Sequence, residues 1–296
     1  MRQDSTLIVG CGYLGRRAAL PLIERGEIVY GTTRSAARAA ELERLGIEPI
    51  IVNVLDGDNL ARLPSVDKAL YCVGYDRSSG TPLRTVYVDG LRKALGRLQD
   101  RVGRLVYASS TGVYAQDDGG WVDETSATEP RTESGRACLE AEKVVREYGK
   151  DTGLPWVIVR FSGLYGPGRI VRRDAILRGD PIVGDPEKFL NMIHIDDAAA
   201  AAIAAMDRGE SGSIYLASDD RPSHRREFYG LTAELLGAPT PRFVAPEGEA
   251  DSTREDSNKR VSNRRMREGL GVVLRFPDFT HGLPAALSGE DRGRAD

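Results

Sequence analysis

Cysteine is scarce in this sequence of 296 residues, which contains only Cys11, Cys72 and Cys138. The three form no Cys-x-x-Cys pair and no spacing typical of a zinc site, and an odd number argues against a disulfide framework. Such sparse cysteine usage fits a reducing compartment. We therefore expect free thiols and no bound metal.

Long apolar runs are also missing. The apolar run near the N-terminus is four residues long, which is too short for the core of a signal peptide, and no stretch approaches the roughly 20 apolar residues of a membrane span. The alanine-rich run from Ala198 to Ala205 is short and follows two aspartates, so it predicts a buried helix. We expect a cytoplasmic protein without a membrane partner.

The sequence carries almost no excess of either charge. Its 41 Lys and Arg residues against 44 Asp and Glu residues give a net charge of −3, and only six of the 41 basic residues are lysine. This balance argues against a nucleic-acid partner and against an acidic disordered tail. The length suits one large domain or two small ones, at roughly 100–200 residues per domain.

Apolar strand-like runs alternate with helix-like stretches through the first two-thirds of the chain. The predicted strands are 6–9, 28–31, 50–54, 69–73, 105–109 and 156–160. The predicted helices are 13–25, 84–98 and 136–148. This alternation is typical of a parallel sheet covered by helices on both faces. We predict an α/β fold with a Rossmann-like, doubly wound parallel sheet.

The pattern loosens after Gly166, where Gly and Pro punctuate residues 166–186 and charged residues dominate 246–267. We expect a dinucleotide-binding domain over residues 1–168, to which some later segments return, and a smaller C-terminal substrate lobe over 169–287. The acid-rich segment 246–256 predicts an exposed loop over the cleft. The charged tail 288–296 predicts disorder.

A glycine turn follows the first predicted strand and opens the first predicted helix. It reads Gly10-Cys11-Gly12-Tyr13-Leu14-Gly15, and Gly-x-Gly-x-x-Gly in this context indicates dinucleotide binding. Gly10 permits the tight turn, Gly12 lets a pyrophosphate approach the backbone, and Gly15 lets the helix pack close to the strand. The phosphates would lie at the helix N-terminus. The alternative is a glycine-rich turn without a ligand.

The end of the second strand indicates which dinucleotide is bound. An acidic residue there would hold the ribose hydroxyls of NAD, but this sequence has Thr33, Arg34 and Ser35. These side chains suit a 2′-phosphate through charge-assisted hydrogen bonds, and Arg38 lies one helical turn further on. We therefore favour NADP over NAD. The alternative is that Arg34 is a solvated residue at a helix start.

Three further segments occur in the order found in one enzyme family. Residues 106–114 resemble the strand-to-loop motif of extended short-chain dehydrogenases/reductases, residues 160–168 their R-x-x-x-x-Y-G-P-G segment, and residues 191–199 their N-x-I-H-V-D-D-x-A segment. With the glycine turn, the resemblance covers about residues 6–285. It is to the NAD-dependent epimerase/dehydratase group, which mostly acts on nucleotide sugars. The resemblance implies a Rossmann-like domain and a C-terminal substrate lobe.

The catalytic motif departs from that family. Its Tyr-x-x-x-Lys would begin the helix after the serine-rich loop, but Ser134 stands where tyrosine is expected and Cys138 where lysine is expected. The family's serine is retained as Ser110. The glycine turn differs as well, because Val9 occupies the family's first glycine position. This combination resembles the atypical short-chain dehydrogenases, which have an eroded active site.

The two replacements change the chemistry that the resemblance implies. A serine hydroxyl is too weak an acid or base near neutral pH to replace the tyrosine, and a cysteine cannot bring the fixed positive charge of the lysine. The catalytic candidates are Ser110, Ser134, Tyr114 and Cys138, although a helical cysteine is usually an inert small hydrophobe. Other candidate proton donors, each with a structural alternative, are Asp123, Glu124, Glu133, Tyr165 and His194.

Further ligand contacts are expected from position. Ligands in open α/β sheets bind outside the carboxyl ends of the strands, and the resemblance implies cofactor contacts there at Asn53, Val54, Val73, Gly74, Ser162, Gly163 and Leu164. Basic residues in the lobe suit a phosphorylated or carboxylated ligand, with a solvated surface as the alternative for most of them. They are Arg169, Arg172, Arg173, Arg178, Arg225, Arg226 and those of segment 258–265.

Together these features predict an NADP-binding, oxidoreductase-like protein with an altered catalytic centre. Its substrate would be a nucleotide sugar or another small polar metabolite. A non-catalytic NADP-binding sensor or regulatory protein is the alternative, because the tyrosine and lysine are missing. Members of the family often dimerise through two helices, here about 84–98 and 136–148, so a homodimer is a further expectation.

Overall fold

The structure is a computed structural model that describes residues 3–245 and 257–292. The strands of the first half are β1 (Ser5–Val9), β2 (Ile28–Thr33), β3 (Glu48–Ile51), β4 (Val66–Tyr71), β5 (Val102–Ser110), β6 (Trp121–Val122) and β7 (Trp156–Phe161). Those of the second half are β8 (Gly163–Tyr165), β9 (Ile182–Val183), β10 (Phe189–Leu190), β11 (Met192–His194), β12 (Ser213–Ala217), β13 (Ser223–His224), β14 (Phe243–Val244) and β15 (Arg260–Val261).

The α-helices fill the connections between these strands. They are α1 (Tyr13–Glu24), α2 (Ala36–Arg44), α3 (Gly90–Leu98), α4 (Glu133–Thr152), α5 (Arg173–Arg178), α6 (Ile195–Arg208), α7 (Arg225–Leu236), α8 (Arg264–Leu270) and α9 (Phe279–Arg292). Within residues 3–245 and 257–292, no helix is both long and apolar enough to span a membrane.

Seven strands form one sheet in the order β12-β7-β5-β4-β1-β2-β3, and all neighbours run parallel. The chain moves outward from β1 to β3 and then returns to build the other half from β4, so the direction of winding reverses between β1 and β4. A ligand crevice forms at the carboxyl edge of such a sheet where the strand order reverses. The predicted α/β fold with a Rossmann-like, doubly wound sheet is confirmed.

Successive residues of the strands face opposite sides of this sheet, which gives two separate cores. Ile8 packs against α1 and α6 on one face, whereas Leu7 and Val9 pack against α3 and α4 on the other. The alanine-rich α6 lies in the first core, where small side chains let it pack closely. The buried helix predicted for Ala198–Ala205 is therefore confirmed.

Several boundaries differ from those predicted. The third strand is Glu48–Ile51 rather than 50–54, because Val52 and Val54 are buried but lie beyond the strand's pairing with β2. The helix predicted over 84–98 begins with a π-helical turn, Thr85–Asp89. The tail predicted to be disordered from residue 288 is helical as far as Arg292, and residues 293–296 lie outside the described residues.

The second half of the chain contributes to both parts of the molecule. Strand β12 extends the central sheet beside β7, and α6 packs on that sheet, so residues 195–217 belong with the central sheet rather than with the C-terminal lobe. A separate core of Tyr165, Ile176, Phe228, Tyr229 and Phe279 holds the C-terminal lobe together. The loop predicted over 246–256 lies outside the described residues.

Candidate functional site

The glycine turn lies between β1 and α1, at the point where the winding reverses. Gly10 has a φ of +88°, and a Cβ there would lie 2.6 Å from the Val73 Cα, so only glycine fits. A Cβ on Gly15 would lie 2.7 Å from the Ile8 side chain. Gly12 differs, since its nearest neighbour to such an atom is the Gly10 carbonyl oxygen at 3.9 Å. The open side of Gly12 at the start of α1 is the place where a pyrophosphate could approach the backbone.

The remaining residues of the turn support its shape. Cys11 and Leu14 are buried, and burial raises the pKa of the Cys11 thiol to about 12. The Thr32 hydroxyl accepts the Gly10 N–H at 2.8 Å, which ties the turn to β2. Arg169 stacks over the Tyr13 ring, with its guanidinium carbon 5.4 Å from the ring centroid. Cys11 and Leu14 can therefore serve a cofactor only through their backbone.

The end of β2 presents an exposed ion pair that sequence analysis does not predict. Arg34 donates to Asp76 at 2.8 Å, and both side chains are more than one-third exposed. Asp76 follows β4 in the chain and accepts from Ser78 as well, and these hydrogen bonds, with that from Arg34, lower the pKa of its carboxyl. The Ser35 hydroxyl accepts the Arg38 N–H and caps α2. An acidic group therefore lies beside Arg34 in space, although none is near it in sequence.

A cavity of about 410 Å³ opens at the carboxyl ends of β5 and β7. Residues from two predicted groups line this cavity together. They are the catalytic candidates Ser110, Ser134 and Cys138, and segment 162–164, which is predicted to contact the cofactor. The Ser162 hydroxyl oxygen is buried with no hydrogen-bond partner among the described residues. An orphaned polar atom at this strand end fits a site completed by a polar ligand group. Asn53 is exposed at the end of β3 and Gly74 beyond β4, whereas the Val54 side chain packs in the core.

Three of the catalytic candidates, Ser110, Ser134 and Cys138, differ in the interactions that they can offer a substrate. The Ser110 hydroxyl accepts the Gly112 N–H at 3.1 Å, which leaves its O–H available for a substrate oxygen. The Ser134 hydroxyl lies 3.3 Å from that of Thr132, which caps α4. Cys138 is buried against Val113 and Leu216 at the cavity wall. None of these groups replaces the acid–base function of a tyrosine–lysine pair.

Tyr114 belongs to a buried charged cluster at the wall of the cavity. Its hydroxyl accepts from Arg160 at 2.6 Å and donates to the Asp123 carbonyl oxygen at 2.7 Å. Arg160 also donates to both carboxylate oxygens of Glu142, at 2.9 and 2.7 Å, and both side chains are almost fully buried. Burial raises the pKa of Tyr114 to about 12. The hydroxyl therefore fixes the Ser110 loop and holds its proton near neutral pH.

The acidic proton-donor candidates have structural roles outside the cavity. Asp123 accepts from Thr125 and Ser126 within its own turn, which lowers the pKa of its carboxyl. Glu124 accepts the Leu216 N–H at 2.9 Å on the edge strand β12, and burial raises the pKa of its carboxyl. Glu133 is exposed in the first turn of α4, where a negative charge is favoured.

Tyr165 and His194 are buried together between the sheet and the lobe. Their rings make an edge-on contact at 5.4 Å. The His194 Nδ1 accepts the Asp196 N–H and caps α6, and burial lowers the pKa of the imidazole to about 4. Burial also raises the pKa of the Tyr165 hydroxyl. Neither residue lines the cavity described above.

Lys259 is the residue that sequence analysis overlooked. The sequence groups it only with the basic residues of segment 258–265, yet the residue is 5% exposed and lines the cavity. Its ammonium donates to the Tyr114 carbonyl oxygen at 3.2 Å and to the Ser257 hydroxyl at 2.6 Å. No local sequence signal distinguishes Lys259 from its basic neighbours, because its position follows from the long-range pairing of β15 with β6.

The lobe arginines divide between the cavity and the surface. Arg225 is buried and, like Arg169, lines the cavity. Arg178 and Arg226 form exposed pairs with Asp180 and Glu187. Among the described residues that line the cavity there is no Asp or Glu, and the described ranges hold no group of three His, Cys, Asp or Glu arranged to bind a metal.

Comparison with known proteins gives one family and relatives over the whole chain. The family model described as "NAD dependent epimerase/dehydratase family" matches residues 6–217. Protein YeeZ of Escherichia coli (strain K12) is 30% identical over 279 residues, which cover 92% of this chain and 96% of YeeZ. A functionally unknown conserved protein from Silicibacter pomeroyi DSS is 29% identical, with a TM-score of 0.79 over 97% of this chain and 99% of that one.

A solved enzyme also shares the fold. DesIV, a dTDP-glucose 4,6-dehydratase from Streptomyces venezuelae whose structure holds NAD, superposes with a TM-score of 0.84 over 98% of each chain. Its sequence is 22% identical, so the similarity concerns the fold alone. NAD is bound by a protein of this architecture.

Proposed function

Because the chain belongs to the NAD-dependent epimerase/dehydratase family, we propose that it is an NADP(H)-dependent oxidoreductase with an altered catalytic centre. Its substrate is a nucleotide sugar or another small polar metabolite. The observation that carries the proposal is that two features share the carboxyl edge of one sheet. The open glycine at Gly12 follows β1, and the cavity lined by Ser110 and Ser162 lies at the ends of β5 and β7, with β4 between β1 and β5.

The residues present fit a dinucleotide. Gly12 leaves space for a pyrophosphate, and the partnerless Ser162 hydroxyl faces the region where the nicotinamide end would lie. Asn53 and Gly74, beyond the carboxyl ends of β3 and β4, would flank the adenosine half. A bound nicotinamide supplies or accepts a hydride at the cavity, while this chain's side chains hold the substrate and move the proton.

The choice of NADP over NAD depends on Arg34. An exposed guanidinium at the end of β2 can hold a 2′-phosphate, with Ser35 and Arg38 beside it. Asp76 competes for the same guanidinium at 2.8 Å, and a carboxylate there can also accept from ribose hydroxyls. We propose that a 2′-phosphate displaces Asp76 from Arg34, so that NADP remains the favoured cofactor.

Turnover by the purified protein tests the proposed function. NADPH oxidation is followed by absorbance against a panel of nucleotide sugars and small carbonyl compounds, with Gly12→Val as the matched control that cannot bind the dinucleotide. We expect at least one compound to be reduced by the wild type and none by the control. If the wild type binds NADPH but no compound is reduced, the oxidoreductase proposal is contradicted.

A non-catalytic NADP-binding sensor is the second candidate, and the loss of the tyrosine and lysine at Ser134 and Cys138 favours it. The double substitution Ser134→Tyr/Cys138→Lys restores the family motif on α4. If that variant reduces compounds that the wild type does not, the wild type has lost a reductase activity and the sensor is supported. A homodimer through α3 and α4 and a cytoplasmic location remain predictions.

A further inference from the structure

We propose that Lys259, inserted into the cavity from the C-terminal lobe, is the acid that protonates the substrate oxygen in place of the tyrosine missing from α4. This inference rests on the proposed function, because it assigns a role within a reduction at this cavity. Along the chain, Lys259 lies more than 100 residues beyond Ser134 and Cys138, which occupy the positions of the family's motif.

The backbone around Lys259 is held on both sides, which fixes where the side chain starts. Strand β15 pairs with β6, and Gly119 donates to the Asn258 carbonyl oxygen at 2.9 Å. The Asn191 amide donates to the Lys259 carbonyl oxygen and accepts the Val261 N–H, both at 2.8 Å. A side chain on a segment with this many fixed contacts is preorganised for a defined position in the cavity.

The ammonium has only neutral partners among the described residues. An ammonium carries three N–H donors, and Lys259 uses two of them on the Tyr114 carbonyl oxygen and the Ser257 hydroxyl. Lys68 shows the contrasting case, since it is part-buried and paired with Glu27 and Asp207. A third donor that faces the cavity can reach a substrate oxygen.

The surroundings disfavour the charged form of this lysine. Burial lowers its pKa to about 8, which lies near the pH at which a general acid works best. The other titratable or charged residues that line this cavity are Tyr87, Tyr114, Arg131, Cys138, Arg169, Arg225 and Tyr229. Three of these residues are arginines, and none of the described residues that line the cavity is an Asp or Glu.

The step balances as a carbonyl reduction. The carbonyl carbon gains a hydride from the reduced nicotinamide, and the carbonyl π pair moves onto the oxygen. That oxygen takes a proton from Lys259 Nζ while the Ser110 hydroxyl hydrogen-bonds to it. The products are an alcohol, the oxidised nicotinamide and a neutral amine, which regains its proton from water.

The first test needs neither cofactor nor substrate. The wild type is labelled with trace acetic anhydride between pH 6 and 11, and acetylation of each lysine is measured by mass spectrometry. We expect the labelling of Lys259 to rise with a midpoint near pH 8, and the exposed Lys143 and Lys150 of α4 serve as reference lysines in the same sample. A Lys259 that follows the reference lysines, or is not labelled at any pH, would overturn the proposal.

The second test separates proton transfer from a tethering role. Lys259→Arg keeps the positive charge and hydrogen-bond donors but cannot give up a proton in the working range, and Lys259→Met removes both. With a compound reduced by the wild type, we expect both variants to lose at least about 100-fold in kcat and to bind NADPH within twofold of the wild type. Lys143→Met is the matched surface control.

The outcomes distinguish this inference from the proposed function. An Arg variant with wild-type kcat and an unchanged pH profile would assign Lys259 to tethering and overturn the inference alone. An inactive wild type would contradict the proposed function and, with it, the catalytic role of Lys259. A wild-type kcat that falls above about pH 8, with that fall absent from the residual activity of the Arg variant, would support both.

Discussion

The proposed cofactor end of the cleft is centred on a turn of consecutive residues, whereas the proposed substrate end is built from side chains of distant segments. Six residues in a row form the glycine turn, and the charged pair beside it, Arg34 with Asp76, is exposed. At the substrate end, by contrast, Glu142 and Arg160 are buried together, and Lys259 comes from a different lobe. Changes at the first end should therefore alter ligand affinity, and changes at the second should also alter stability.

The difference follows from what each end must bind. Phosphates are held by backbone N–H groups at a helix N-terminus, and those groups are created by the turn itself. Proton transfer needs a side chain with a suitable pKa, and burial among distant segments is the means of shifting one. The proposed role of Lys259 therefore places the acid–base residue in a distant segment, while the glycine turn remains a local motif.

Removing one partner of the buried ion pair should have the largest effect. Glu142→Ala leaves Arg160 buried without a carboxylate, which should cost about 3–5 kcal/mol of the free energy of unfolding. The matched control is Glu140→Ala on the same helix, because Glu140 forms an exposed pair with Arg84 and should cost at most about 1 kcal/mol. Urea denaturation measures both. Equal losses would contradict the account of Glu142 and Arg160 as a buried pair that supports the substrate end.

The buried lysine should give the substrate end a pH-dependent stability. Its pKa is lowered to about 8 in the folded state, so between that value and the unfolded pKa the unfolded chain binds more protons. The free energy of unfolding of the wild type should therefore rise between about pH 8 and 10, relative to that of Lys259→Met, by up to about 3 kcal/mol. Urea titrations at both pH values measure the difference, and parallel curves would contradict it.

Two glycines of the same turn should separate binding from stability. Gly12→Val places a side chain in the open space at the start of α1, so we expect NADPH affinity to fall more than about 100-fold, or about 2.7 kcal/mol, with little change in Tm. Gly15→Ala meets the Ile8 side chain at 2.7 Å, so we expect a lower Tm. Fluorescence titration and thermal unfolding of both variants make the comparison. A Gly12→Val protein that still binds NADPH would contradict the assignment of the pyrophosphate site.

The exposed ion pair at the end of β2 should give the smallest effect. Asp76→Ala frees Arg34 for a 2′-phosphate, and an exposed pair is worth at most about 1 kcal/mol. We therefore expect NADPH to bind a few-fold more tightly, with no gain for NADH. Asp58→Ala is a suitable surface control. Tighter NADH binding in Asp76→Ala would show that Asp76 does not compete for Arg34.

The geometry of the glycine turn could be predicted because its determinants are local. Gly10, Gly12 and Gly15 stand at fixed spacing between a strand and a helix, and the structure places each where that spacing requires. The acid near Arg34 could not be found in this way, because Asp76 reaches it from the loop after β4. Sequence position alone carries no information about that pairing.

The substrate end could be predicted only in part. The resemblance identified Ser110, Ser134 and Cys138, and the cavity brings the three together. It could not identify Lys259, because the pairing of β15 with β6 and the Asn191 contacts are long-range. The resemblance identifies Arg160 only as the first residue of a motif. Its pairing with Glu142, which forms the buried support of the cavity, is visible only in the structure.

Parallel fluorescence titrations with NADPH and NADH, on the cofactor-stripped wild type and on Arg34→Ala, test the central claim most directly. We predict that the wild type binds NADPH at least tenfold more tightly than NADH, a difference of about 1.4 kcal/mol, and that Arg34→Ala loses this preference without losing NADH binding. Tighter binding of NADH by the wild type would contradict the NADP assignment. Binding of neither nucleotide would contradict the account of the glycine turn as a cofactor site.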